Sequence, residues 1–250
     1  MAIPTTDVRR RGSREKGALK VAREIVRHIH EERIPVGQKY LSEAEAIEKY
    51  QVARGTLREA LRYLQIQGVI EIRPGPNGGH FVAHPRWDNL ASSIALLLQF
   101  SDATIESIIE ARVTIEPGMA ALAARNAAEE DIAGMQDVLN ALAKKIGDYD
   151  AYYLLYMDFW DRLAKASHNE LFVFLSPALR RITWTAGIRP NESQRENALA
   201  NIRNVLKAVA AHDEDKAFKA MKQLETSYLQ TMRRDYPREI SKTVSWSDFR

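Results

Sequence analysis

Apolar residues return every three to four positions along most of this chain, and the places where that period breaks divide it. From Leu19, the residues Ala22, Val26 and Ile29 recur at helical spacing and predict a first helix that stops before IPVG, residues 34–37. SEAE, residues 42–45, has the form of a capping box: the Ser42 hydroxyl accepts from the Glu45 amide and the Glu45 carboxylate reaches back to the Ser42 amide. A short second helix therefore begins there and runs to about Tyr50. Leu57, Ala60, Leu61 and Leu64 mark a third helix, with Gly68 placed to end it. The period then falls to two. Ile70 and Ile72 alternate with polar residues in VIEIR, and a PGPNGG turn leads into HFVAH, which together predict a two-stranded hairpin.

Three helices followed by a hairpin is the order of a winged helix-turn-helix. HPRWD, residues 84–88, interrupts regular structure, so the expected organisation is an arm at 1–12, a winged helix at 13–84, a linker at 85–88, a helical domain at 89–238 and a tail at 239–250. Beyond Trp87 nearly every segment carries the helical period, which predicts a mainly α protein ending in an antiparallel bundle of about six or seven helices. Ile105, Ile108, Ile109, Val113, Ile115, Met119 and Leu122 form one such stripe, and Pro117 and Gly118 inside it predict a kink or a break.

Charge sharpens the division. Up to Arg86 there are 16 Lys and Arg against 10 Asp and Glu; beyond it there are 20 against 23, and all four tryptophans lie in that acidic part. Arg9, Arg10, Arg11 and Arg14 precede the apolar period and form either a solvated tail or a phosphate-touching arm. Cysteine is absent, which removes disulfides, thiolate zinc sites and thiol nucleophiles and is compatible with a reducing cytoplasm. IALLLQF, residues 94–100, is the longest apolar run and is too short to span a bilayer; the N-terminus has no apolar signal core. The expectation is a soluble, cytoplasmic protein with no membrane partner.

The third helix carries the candidate chemistry. Arg54 and Arg58 lie one turn apart and off the Leu57/Leu61/Leu64 stripe, so burying the stripe turns both guanidiniums outward, where Arg can donate two bonds to guanine O6 and N7 in a major groove. Gly55 permits close backbone approach and Thr56 can bond a phosphate or base edge. Arg62 extends the basic edge. A solvated charged face explains the helix alone, but the hairpin adds Arg73, Asn77 and His80 around a Gly78-Gly79 tip small enough for a minor groove or a phosphate backbone. Double-stranded operator DNA is the expected partner.

The stretch PVGQKYLSEAEAIEKYQVARGTLREALRYLQIQGVIEIRPGPNGGHFV resembles the N-terminal winged helix of GntR-superfamily bacterial transcription factors. By that resemblance Arg54, Thr56 and Arg58 match operator-contacting positions, and Gly79 and His80 lie at the wing tip. Ala44 stands where many relatives carry a DNA-contacting Arg, and Ala53 replaces the usual Ser or Thr cap of the recognition helix, a loss of about 1 kcal/mol if nothing else caps it. IIEARVTIEPGMAALAA and FWDRLAKASHN are similar to segments of the FCD-type effector domain of the FadR subfamily, which implies a homodimer controlled by a small-molecule effector that shifts the placement of its two winged helices.

Many relatives hold a divalent metal there, with an Asp, a His four residues on, and two further His. At those positions this chain has Tyr156, Trp160, Ile202 and Leu224, none a good ligand, so the usual metal is expected to be absent and no cofactor is implied. His168 and His212 fall in turns. The substitutions predict an apolar bundle centre, either filled core or a pocket for a hydrophobic or acyl-like effector, with Arg112 fixing a polar head; a small carboxylate or sugar acid is the alternative. Arg112 can also pair with Glu116 at i+4. Tyr156, Trp160, Ile202 and Leu224 join Arg112 as candidate effector-binding residues.

An enzyme is the rival class, but no GxSxG elbow, GxxxxGK[ST] loop or metal-spaced His pair is present in the helical domain. His28 and His30 sit two apart on a helix, on different faces. A helical protein-interaction adaptor that reads no DNA is the third class, and steep salt dependence would separate DNA binding from it.

Overall fold

The computed structural model describes the backbone of residues 5–248, with side-chain environments from residue 16. Two compact units divide at Asn89 and Leu90. In the first, α1 (Thr5–Glu31), α2 (Glu43–Tyr50) and α3 (Arg54–Ile66) precede a hairpin of β1 (Ile70–Arg73) and β2 (Gly79–Val82). Helical backbone thus begins at Thr5, well before the Leu19 stripe. The side chains of Arg9, Arg10, Arg11 and Arg14 lie outside the described residues, as do residues 1–4 of the proposed arm.

Local sequence explains the boundaries. The capping box closes at both bonds, Glu45 N–H to Ser42 Oγ at 3.3 Å and Ser42 N–H to Glu45 Oε2 at 2.8 Å. Helix α3 ends in paired backbone bonds, Val69 N–H to Leu64 O and Gly68 N–H to Gln65 O, around Gly68 at φ 73°. That is the glycine-centred stop in which a left-handed residue costs least. Leu57, Ala60, Leu61 and Leu64 are buried with Ala18, Val21, Ala22 and Ile25 of α1. The strands pair antiparallel with Ile70 opposite Val82 and Arg73 opposite Gly79. One pairing was not anticipated: Gln38–Tyr40 runs beside β2, through Tyr40 N–H to His80 O at 2.7 Å and Val82 N–H to Gln38 O at 2.9 Å. This covers the outer edge of β2 and ties the wing to the loop before α2.

Ala53 caps α3 with extended backbone, φ −66° and ψ 145°, and makes no side-chain cap bond. Ala53→Ser should therefore stabilise the first unit by about 1 kcal/mol. The check is a rise in its denaturant midpoint.

The second unit is helical among its described residues: α4 (Trp87–Gln99), α5 (Ile105–Asn126), α6 (Glu129–Lys144), α7 (Tyr149–Ala166), α8 (Glu170–Trp184), α9 (Glu192–Ala210), α10 (Glu214–Asp235), the short α11 (Pro237–Ile240) and a 3-10 turn at Trp246–Asp248. Helix α4 starts inside the stretch taken as a linker. Helix α5 is continuous through Pro117 and Gly118, so of the expected kink or break the break does not occur. The segment 239–250 is also no free tail through Asp248: Ile240 and Val244 are buried, Ile105 N–H donates to Lys242 O, and Trp246 Nε1 donates to Ser92 Oγ at 2.8 Å. Helix α5 packs most extensively on α10, and it also meets α7, α8 and α9. Four helices surrounding α5 explain how its polar positions become buried.

Candidate functional sites: a basic helix with a wing, and a charged pocket

Burying the leucine stripe does what the spacing implied. Arg54 and Arg58 stand outward on α3 with side chains 70% and 62% exposed. Both face one carboxylate: Arg58 Nε donates to Glu43 Oε1 at 2.9 Å, and Arg54 Nε lies 4.0 Å from Glu43 Oε2. Arg58, as a hydrogen-bond donor, holds the Glu43 carboxyl below the usual range. Ion pairs so exposed contribute little to stability and give way readily to a phosphate or base. Thr56 is half-buried on the α1 side, close enough that a Cβ on Gly17 would lie 3.6 Å from its methyl.

The wing side chains differ in freedom. Arg73 donates to Glu71 at 3.0 Å and lies over the Phe81 ring at 4.2 Å, so it is held on the hairpin. Asn77 is exposed at the tip, and His80 is half-buried, with burial holding its imidazole below its ordinary pKa. Gly79 sits at φ 132°, and a Cβ on Gly78 would lie 2.2 Å from Arg73 O. The Gly-Gly pair is therefore a backbone requirement of the turn.

In the helical unit the centre is charged, which corrects the expectation of an apolar one. Arg112 is buried, and its Nη2 donates to both Glu225 oxygens at 3.0 and 2.9 Å. Its Nη1 reaches Thr183 Oγ1 at 3.3 Å, and its Nε lies 3.4 Å from Glu116 Oε1. The pairing with Glu116 thus exists, but in the core and not on the surface. Arg180 from α8 completes the cluster: Nη2 donates to Glu116 Oε2 and to Glu225 Oε1 at 2.9 Å. Ser176 Oγ donates to Glu116 at 3.0 Å. Two cations and two carboxylates, none more than 3% exposed, balance one another.

Beside this cluster lies a cavity of about 410 Å³ between α7, α8, α9 and α10. Arg112 and Arg180 line it; Glu116 and Glu225 do not. Tyr149, Tyr153 and Trp184 form a stacked wall, with Tyr153 and Trp184 centroids 3.4 Å apart. Asn197, Asn201, Ser227 and Thr231 supply polar positions. Of the candidate effector residues, Arg112, Tyr156, Ile202 and Leu224 line the cavity. Trp160 does not: it is fully buried, and its ring lies 3.9 Å from the Arg180 guanidinium carbon. Sequence reasoning missed Arg180 and Glu225, and it placed Glu116 only as an i+4 partner of Arg112 on the surface. Their signal was position, since Glu225 falls in the Met221/Leu224/Met232 stripe and Glu116 follows Arg112 by one turn on an apolar helix.

The donor set at the family's metal positions does not fit a metal. Tyr156, Trp160, Ile202 and Leu224 offer one phenol among apolar groups, and the cation beside Tyr156 and Trp160 is Arg180, whose Nη1 lies 3.4 Å from the Tyr156 hydroxyl. Among the described residues no three His, Asp or Glu side chains are grouped to hold a metal ion. His168 and His212 occupy left-handed turns at φ 50° and 52°.

A helix-turn-helix with a wing, joined in one chain to a helical unit with an internal pocket, defines the class of ligand-responsive DNA-binding regulators. Residues 18–82 match the model for bacterial regulatory proteins of the gntR family, and residues 107–226 match the FCD domain. The chain belongs to the gntR family of transcriptional regulators, in the branch that carries an FCD domain. Curated relatives are named as regulators and not as enzymes. The chain is 29% identical to the HTH-type transcriptional regulator LutR of Bacillus subtilis over 56% of its own length and 63% of LutR, less than two thirds of that relative. It is 24% identical to the HTH-type transcriptional repressor NanR of an Enterobacter species over 85% of this chain and 84% of NanR. A solved GntR of Streptococcus agalactiae superposes with a TM-score of 0.72 at 25% identity, covering 86% of this chain and 99% of that one.

Proposed function

We propose that this chain is a FadR-like cytoplasmic regulator that binds a two-fold operator as a homodimer and is controlled, without a divalent metal, by a small organic anion in the α7–α10 pocket. The observation that carries the effector class is that two buried guanidiniums form part of the pocket lining while their carboxylate partners lie outside it. Arg pairs carboxylates in two-point fashion, and the tyrosines and amides of the wall suit a ringed or hydroxylated body such as a sugar acid. An acyl chain finds less support, because Asn197, Asn201, Ser227 and Thr231 would lose water without gaining partners. No described helix is long and apolar enough to cross a membrane, which is compatible with the cytoplasmic placement.

Control requires only that the effector bind two states of the protein unequally. Native mass spectrometry of the purified protein tests the proposal. The expected spectrum shows twice the chain mass with no stoichiometric metal and, where a ligand co-purifies, an organic acid. A dimer carrying one divalent ion per chain would overturn the metal-free reading. Binding to a mixed-sequence duplex should also weaken steeply between 50 and 200 mM salt, roughly in proportion to the phosphates contacted. A flat salt profile would instead favour the adaptor.

A further inference from the structure

We propose that Glu116 takes up a proton from solvent when the anionic group of the effector engages Arg180, so that effector binding and protonation are linked. This rests on the carboxylate reading of the pocket and adds to it the charge balance that an arriving anion demands. The four buried charges already neutralise one another, so a fifth, negative one would stand uncompensated in a site removed from water. Donors for that anion are nonetheless in place. Arg112 and Arg180 both line the cavity, and Arg180 Nη1 has only the long contact to Tyr156 at 3.4 Å.

Either an arginine must be freed from its carboxylate or a carboxylate must lose its charge, and the geometry distinguishes the two acids. Glu225 accepts three guanidinium bonds, two from Arg112 and one from Arg180. Glu116 has one from Arg180 and one from the Ser176 hydroxyl. A hydroxyl can donate to an ionised carboxyl and accept from a protonated one, so Ser176 serves Glu116 in both states. The groups facing Glu116 are Arg112 on its own helix, Arg180 and Ser176 from α8, and Glu225 from α10; around them Tyr156 and Tyr228 act on Arg112, Asp161 on Arg180, and α9 brings Arg195 to the pocket wall. Burial, with Glu225 adding to it and Arg180 opposing, pushes the Glu116 carboxyl up to about 7. Against burial, Arg112 and then Arg180 hold Glu225 below its ordinary value. The proton therefore goes to Glu116, its Arg180 contact weakens, and the effector's oxygen takes up the released donor.

Calorimetric titration of the full-length protein with D-glucuronate and with benzoate, in Tris and in triethanolamine at one pH above neutrality, tests this. The expected result is a buffer-dependent heat equal to uptake of about one proton per bound anion, with affinity falling up to about tenfold per pH unit above the Glu116 pKa. Glu116→Gln should bind with no buffer dependence and a flat pH profile. The wild-type pH series needs no variant, so a Glu116→Gln chain that fails to fold leaves the decision to it. Equal heats in both buffers with measurable binding would overturn the proton linkage and leave the anion pocket standing. Absence of binding by either probe at any pH would overturn both.

Discussion

Glu225→Ala is expected to destabilise the helical unit by about 3–5 kcal/mol, the largest effect foreseen for a single substitution here. The carboxylate removed is fully buried and is shared by Arg112 and Arg180. Its loss removes both bonds from Arg112 Nη2 and leaves two buried cations facing the single carboxylate of Glu116, and an uncompensated charge in the core costs far more than the pair itself contributes. Chemical denaturation followed by tryptophan fluorescence reads the change. Arg112→Met combined with Glu225→Leu removes both partners and should recover much of the loss, because Arg180 keeps Glu116. A Glu225→Ala chain that unfolds at the wild-type midpoint would show that the four charges are not coupled.

The same cluster predicts a pH slope. The Glu116 carboxyl is raised from 4.5 to about 7, so between those values the native state holds more protons than the unfolded chain. Its contribution to stability is therefore largest below 4.5 and declines as pH rises through that window. Glu116→Gln removes this component of the slope and leaves the rest.

Arg58→Ala should weaken binding to a selected operator by about 10- to 100-fold, corresponding to about 1–3 kcal/mol, and relax sequence preference at the base it faces. The side chain is exposed and its only described hydrogen bond is to Glu43 at the surface, so helix content should not change. Fluorescence anisotropy against the selected operator and a mixed-sequence duplex gives the two affinities whose ratio matters. Unchanged affinity in a folded variant would remove α3 as the reading helix. Glu43→Gln is the complementary variant: it takes a negative charge off this face, and affinity for the mixed duplex should rise.

The winged helix was legible in the residues themselves. Capping chemistry at Ser42 and Glu45, the leucine stripe of α3, the glycine stop at Gly68 and the alternation of Ile70 and Ile72 are short-range signals, each carried by residues within one or two turns of the structure they specify. The strand-like pairing of Gln38–Tyr40 with β2 was not legible, since nothing in that stretch alternates and the bonds run through backbone to residues about 40 positions away. Continuity of α5 through Pro117 and docking of Ile240 and Val244 were hidden for a related reason. Burial against neighbouring helices overrides a local breaker, and a polar-looking end becomes part of a core once two of its apolar residues find a groove.

By itself, the order of amino acids determined two helical units of opposite charge, a basic helix with its arginines off the apolar stripe, and a hairpin tip that only glycine can form. Those properties depend on period and on backbone sterics, which act locally. Only the tertiary structure decided that Arg112, Glu116, Arg180 and Glu225, separated by up to 113 positions, meet in the core, and that the pocket sees guanidinium and not carboxylate. Side chains on three helices become neighbours through packing angles that no helical period encodes, and it is their mutual neutralisation that lets four charges stay buried.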